Sequence, residues 1–211
     1  MGGTWHPAAM PKIDFWYDFA STYSYLAAMR AEPLAATAGV TLRWRPFLLG
    51  PIFKSHGMET SPFNLYPVKG RYSARDMERL VALQGLPKFI LPMPFPANSL
   101  LASRSALALS DDARPEFSRT VYRAEFAEGR DVSNRSVIAE ILQALGHDAE
   151  AVLAKTGDQE IKDKLRTQTE EAAQRGIFGA PNFVTEDGEL FWGNDRLEQA
   201  LAWATGGGRK S

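Results

Sequence analysis

Residues 13–27 read IDFWYDFASTYSYLA, and this stretch decides the fold. Its first half, Ile13 to Asp18, is short and rich in aromatics, as a buried strand is. Its second half changes period, with Tyr25, Leu26, Met29 and, further on, Leu34 recurring on one helical face. Ser21 stands at the junction, and serine is a favoured helix N-cap. A strand running straight into a helix is predicted. Glu32-Pro33 is awkward inside that helix, because proline disfavours α geometry in the residue before it, so a kink or break is expected there. Gly39 ends the segment, and Val40 to Arg45 alternates apolar and polar as a second strand, closed by Pro46.

Outward from this β-α-β unit the pattern turns helical. Residues 51–67 read as loop-rich. Ser73 and Asp76 resemble a capping box that opens a helix carrying Met77, Leu80, Val81 and Leu83. Pro92, Pro94 and Pro96 force residues 91–96 to be extended, and Asn98 or Ser99 then caps a helix running to Leu109. Further helices are predicted over residues 115–127, 136–145, 149–155 and 158–175, with Gly129, Gly146, Gly157 and Gly176 at their stops. The end of the chain returns to strand pattern. Residues 182–185 and 189–192 flank Glu186-Asp187-Gly188 as a hairpin, and a last helix begins near Asn194.

The order β-α-β, helical block, β-β-α is the plan of an α/β, thioredoxin-like fold with a large inserted all-helical domain. Residues 12–48 and 178–205 form the discontinuous thioredoxin-like domain, residues 49–177 the insert, and residues 1–11 and 206–211 loose ends.

Composition removes several functions. The 24 basic and 25 acidic residues are interspersed and give a net charge of -1, so nucleic acid is not an expected partner. No apolar run is long enough to span a membrane, and the first residues lack the basic and apolar segments of a secretory leader. A cytoplasmic location is expected by default. The chain has no cysteine, which excludes disulfides, zinc–thiolate sites and dithiol redox chemistry by the protein itself. His6, His56 and His147 are scattered, and no metal site is expected.

Four stretches carry a family resemblance. They are DFWYDFASTYSYLA (14–27), RPFLLGPIFKSHGMETSPFN (45–64) with PVKGRY (67–72), PFPANSLLASR (94–104) and FGAPNFVTEDGELFWGNDRLEQAL (178–201). In this order they resemble the 2-hydroxychromene-2-carboxylate isomerases, which are related to the kappa-class glutathione transferases on the DsbA-like branch of the thioredoxin fold. The PFPAN and FWGNDR segments favour the isomerases. The resemblance implies glutathione as cofactor, cis–trans isomerisation of an aromatic-derived keto acid in aromatic hydrocarbon catabolism, and a homodimer.

It also assigns residues. Ser21 matches the serine that contacts the glutathione sulfur, and is the expected catalytic group. A helix N-terminus favours an anion such as a thiolate, and a serine hydroxyl adds a donor. Ser21 also reads as a simple cap, and both roles are compatible. Thr22 stands where proline commonly follows that serine. Ala180-Pro181 matches the cis-proline loop, where Ala180 offers its N–H and C=O to an extended peptide. Asn194 and Asp195 match the residues on the γ-glutamyl end, or else cap and complement the last helix. Lys69, in PVKGRY, is assigned to glutathione, while Tyr23, Lys54, Asn64 and Asn98 are candidate substrate contacts. Met58 stands where some relatives are polar, and Trp16, Trp44 and Trp192 are expected in the core or the pocket wall. Two rival readings are a kappa-like transferase that consumes glutathione and a non-catalytic thioredoxin-fold binding protein.

Overall fold

The structure, a computed structural model, describes residues 10–207. His6 and most of the ends expected to be loose, residues 1–9 and 208–211, lie outside these.

Strands β1 (Lys12–Tyr17), β2 (Thr41–Pro46), β3 (Asn182–Thr185) and β4 (Leu190–Trp192) form one sheet in the order β2-β1-β3-β4. β1 runs parallel to β2 and antiparallel to β3, which pairs antiparallel with β4. Helix α1 (Thr22–Ala38) makes the crossover from β1 to β2. β1 is central and buried on both faces, which explains its nearly continuous apolar sequence. Ile13, Phe15 and Tyr17 face the main core, where the Phe15 ring lies 5.1 Å from Phe183 and 4.8 Å from Trp44. Trp16 faces the other side with Phe47, Ile52, Ala172, Ile177 and Val184.

The eight helices between β2 and β3 are α2 (Leu49–Ser55), α3 (Pro62–Leu65), α4 (Pro67–Leu83), α5 (Leu100–Ala108), α6 (Arg114–Phe126), α7 (Arg135–Ala144), α8 (Ala149–Lys155) and α9 (Gln159–Gln174). A 3-10 turn (Asn194–Arg196) and α10 (Leu197–Ala204) follow β4. The core is continuous from the sheet into the helices: Tyr17, Phe19, Tyr25, Tyr122 and Phe126 form a chain of ring contacts from β1 through α1 to α6.

Three local expectations are corrected. Helix α1 runs unbroken through Pro33, because buried alanines pack it on both sides of the lost backbone bond, Ala27 and Ala28 before it and Ala35 after it. Helix α4 starts at Pro67, not Ser73. Proline suits the first helical position, and Ser73 is a buried residue well inside the helix. Residues 51–67 include two short helices, α2 and α3, rather than mostly loop.

Candidate active site at the first helix and the cis-proline loop

The loop between β1 and α1 is held by the buried Asp18. Its carboxylate accepts from Ala20 N–H (3.0 Å) and Leu49 N–H (2.7 Å), and its carbonyl from Tyr122 Oη (2.9 Å) and Ser21 N–H (2.9 Å). Burial raises the Asp18 pKa above the ordinary value, against these donors and the Ser99 hydroxyl. The loop is thereby fixed to α2, α5 and α6, and it delivers Ser21 to the N-cap of α1.

Ser21 has extended backbone (φ -95°, ψ 115°), as an N-cap requires. Its Oγ accepts from Ser24 N–H at 3.2 Å and donates to Ala180 O at 3.0 Å. The cap and the expected active-centre position are therefore one residue. The N–H groups of Thr22 and Tyr23 have no hydrogen-bond partner among the described residues, and the first turn contains no acidic side chain. This leaves the positive end of a 17-residue helix open to an anion.

Ala180 precedes Pro181 across a cis peptide bond. Its N–H has no partner among the described residues, and its C=O accepts only from Ser21. One residue thus presents a free donor and a shared acceptor, the pair that an extended peptide needs. Pro181 O accepts from Gly193 N–H at 3.0 Å, which joins this loop to the 3-10 turn.

In that turn Asn194 is buried and Asp195 is exposed, with Asp195 paired to Arg196 at 2.9 Å. Asn194 does not cap the last helix. Its side chain turns to Arg30 on α1, whose Nε donates to Asn194 Oδ1 at 3.1 Å. Gly193 has φ 116°, and a Cβ there would sit 2.5 Å from Asp195 Oδ1, so only glycine allows this placement of the carboxylate.

Beside Ser21 lies a cavity of about 100 Å³ whose lining is mostly apolar: Phe63, Met77, Phe89, Leu91 and Phe95, with Thr22, Ser73 and Asn64 as polar members. The Thr22 hydroxyl is buried and has no partner among the described residues. Asn64 donates to Thr60 Oγ1 (3.1 Å) and to Phe95 O (3.3 Å), tying α3 to the loop of residues 93–96 that closes the cavity. Tyr23 gives its hydroxyl to Asp76 on α4 at 2.9 Å, which clamps the cavity wall to the first turn of α1. Burial above all, with Asp76 adding to it, pushes the Tyr23 pKa up to about 12.

The structure thus brings Ser21, Ala180, Pro181 and Asn194 into one connected set, with Asp195 at its edge and Asn64 on the adjoining cavity. Lys69 is exposed, its Nζ 4.9 Å from the Tyr66 ring centroid. Lys54 is exposed on α2, and its ammonium forms no hydrogen bond or ion pair among the described residues. Asn98 accepts from Leu100 N–H at 3.0 Å, the local turn bond of a helix start. Trp16 and Trp44 are core, whereas Trp192 is 52 % exposed and stacks edge-on against the exposed Phe178 at 4.8 Å.

Residues 12–202 match the DSBA-like thioredoxin domain. A 2-hydroxychromene-2-carboxylate isomerase of Sphingobium xenophagum is 33% identical over 88% of this chain and 94% of its own. The chain belongs to this isomerase family. A solved structure of a 2-hydroxychromene-2-carboxylate isomerase superposes with a TM-score of 0.82 at 28% identity, covering 92% of this chain and 94% of that one. Glutathione S-transferase kappa 1 of Rattus norvegicus is 28% identical over 92% of this chain and 90% of its own. The isomerase family and the kappa transferases are thus both relatives, as the four sequence stretches imply. Arg30 and Asp18 escaped the sequence reading, because nothing local marks an arginine inside a helix whose partner lies 164 residues away.

Proposed function

We propose that this protein is a glutathione-dependent cis–trans isomerase of the 2-hydroxychromene-2-carboxylate / trans-o-hydroxybenzylidenepyruvate type. The observation that carries the reading is the Ser21–Ala180 contact: a helix-capping hydroxyl 3.0 Å from the carbonyl of a residue whose N–H is free. These groups fit glutathione, which is an extended peptide with a thiol at its centre.

Bound glutathione supplies a reversible nucleophile, a thiolate whose addition to a conjugated carbon makes the double bond single until its departure restores it. The protein's part is to bind and to place protons. Ala180 N–H and C=O hold the central residue of the peptide. Ser21 has one proton, and it points at Ala180 O. When a ligand N–H takes over that carbonyl, the Ser21 O–H is released to donate to sulfur. The free N–H groups of Thr22 and Tyr23 favour the charged thiolate further. Asn194 and Asp195 take the γ-glutamyl carboxylate and ammonium, and Lys69 the far carboxylate. The cavity behind Thr22 holds the aromatic ring of the keto acid in a water-poor wall of phenylalanines, with Asn64 at its polar edge and Tyr23, Lys54 and Asn98 as outer contacts. Orientation and a dry site supply the rate enhancement. Residues 49–177 act as the substrate-side domain. The reading places the protein in the cytoplasm, where glutathione is kept reduced, as a homodimer. Among the described residues no helix is long and apolar enough to cross a membrane.

The test is calorimetric titration with reduced glutathione, followed by an absorbance assay of hydroxychromene carboxylate conversion. Saturable binding and conversion with glutathione recovered intact supports the isomerase. Product carrying the mass of glutathione would support the transferase instead. Absence of binding at millimolar glutathione would overturn both readings.

A further inference from the structure

Arg30 lies on the face of α1 that meets the 3-10 turn, behind the proposed γ-glutamyl pocket. Its Nε donates to Asn194 Oδ1 at 3.1 Å and its Nη2 to Asn194 O at 2.9 Å. Nη1 and Nη2 donate to the two Glu198 oxygens at 2.6 Å each. Arg30 therefore spans the side chain and the backbone of Asn194, and is itself held by a bidentate carboxylate on α10.

This fork settles a question of orientation. An asparagine amide has an acceptor end and a donor end, and either can face a pocket. Arginine carries only donors. The end of Asn194 that faces Arg30 is therefore the oxygen, since a flipped amide would set two donors against each other. Nδ2, with its two N–H groups, is left facing away from Arg30 and has no partner among the described residues, although Asn194 is 7% exposed. Glu198 neutralises the guanidinium and engages its outer edge, so Arg30 acts on Asn194 rather than as an anion site of its own.

We propose that Arg30 is a positioning residue for the γ-glutamyl carboxylate: it locks the Asn194 amide with its donor end presented to the ligand. The proposal rests on the reading that glutathione places its γ-glutamyl end at Asn194 and Asp195. It explains why a buried asparagine serves at this position, since the same side chain must accept from a cation on one side and donate to an anion on the other. The second bond, from Nη2 to Asn194 O, keeps the guanidinium in register with that amide.

The experiment is calorimetry on the full-length protein with two ligands, reduced glutathione and 4-aminobutyryl-cysteinylglycine, which lacks the γ-glutamyl carboxylate. The proteins are the wild type, Arg30→Met, Arg30→Lys, Asn194→Ala and the Arg30→Met/Asn194→Ala double variant. We expect Arg30→Met to weaken glutathione about 10–100-fold, the loss of one well-aimed hydrogen bond to a charged group, and to leave the analogue within about 3-fold. Arg30→Lys keeps one donor for Asn194 Oδ1 and falls between. The double variant binds no more weakly than Asn194→Ala, because Arg30 acts through Asn194. Equal losses for both ligands, no loss for either, or a further loss in the double variant would overturn the proposal while leaving glutathione binding intact. A wild type that binds both ligands equally would refute the γ-glutamyl placement, and with it the role of Arg30. A wild type that binds neither would sink the glutathione reading itself. If Arg30→Met does not fold, Arg30→Lys carries the same comparison.

Discussion

Removing the Ser21 hydroxyl separates its cap from the role proposed for it on glutathione. In Ser21→Ala the bond to Ser24 N–H and the bond to Ala180 O are both lost. Loss of a serine N-cap costs about 0.5–2 kcal/mol, and a typical hydrogen bond contributes about 1 kcal/mol net. A stability loss of about 1.5–3 kcal/mol follows, which for a chain of this size lowers Tm by about 3–12 °C. The effect on bound glutathione is distinct. A hydroxyl donating to a thiolate is a hydrogen bond to a charged group, worth about 1.5–3 kcal/mol. Its removal raises the thiol pKa in the complex by about 1–2 units. The open N–H groups at the start of α1 remain, so the pKa does not return fully to the free value near 8.5. Ultraviolet titration of the thiolate in the complex reads this shift directly. Ser21→Thr keeps both the cap and the donor, and should restore both quantities. A thiolate pKa unchanged in Ser21→Ala, alongside the lowered Tm, would show that Ser21 is a cap and nothing more.

Three further outcomes follow from the same geometry. Ser21→Cys places the chain's sole thiol at the α1 N-terminus, so its rate of alkylation against pH should report a pKa below about 8.5, and a higher value would refute the role of the open N–H groups. Tyr23→Phe breaks the clamp to Asp76 and should cost about 1 kcal/mol in denaturant unfolding at neutral pH. Because the folded Tyr23 pKa is raised to about 12, the stability it contributes is complete below the unfolded value of 10.0 and fades as pH climbs toward 12, so the cost should shrink over that window. A cost unchanged by pH would reject the assigned pKa. Glu125 on α6 is fully buried, neither of its oxygens has a partner among the described residues, and burial, then Asp18 and Asp131, raise its pKa well above 4.5. Above that pH the unfolded chain ionises while the folded one resists, which costs about 1.4 kcal/mol per pH unit up to the folded pKa. Glu125→Gln should therefore gain stability relative to wild type from pH 4 to pH 7, and a gap of constant size would contradict a raised pKa.

How far the sequence was legible depended on the range of the interactions. β1, the first turn of α1 and the hairpin of β3 and β4 are marked by local pattern, because burial and turn chemistry leave a period in the residues themselves. α8 was bounded correctly at both ends, since Asp148 caps Ala151 N–H and glycine follows soon after. The start of α4 was missed because Ser73 and Asp76 imitate a cap. In the fold Ser73 is packed inside the helix, and Asp76 answers Tyr23 and Arg79. In the site, Ser21 and Ala180-Pro181 were legible by resemblance, but their direct bond was not, and neither was the Arg30 fork. Lys54 is a case where charge alone suggested a residue that no contact among the described residues draws toward the others.

The Ser21–Ala180 bond joins residues 159 apart. A ribosome adding about 5–20 residues per second needs roughly 10–30 s between making one and making the other. During that time β1 can zip to β2, but its other edge stays bare, a strand of aromatic residues with open backbone groups, the kind of surface that invites a stranger's strand. The contact is then also a completion signal. It closes only after the whole helical block has been threaded between its halves, and a chain cut short before Ala180 lacks the half that the cis-proline loop and the 3-10 turn supply.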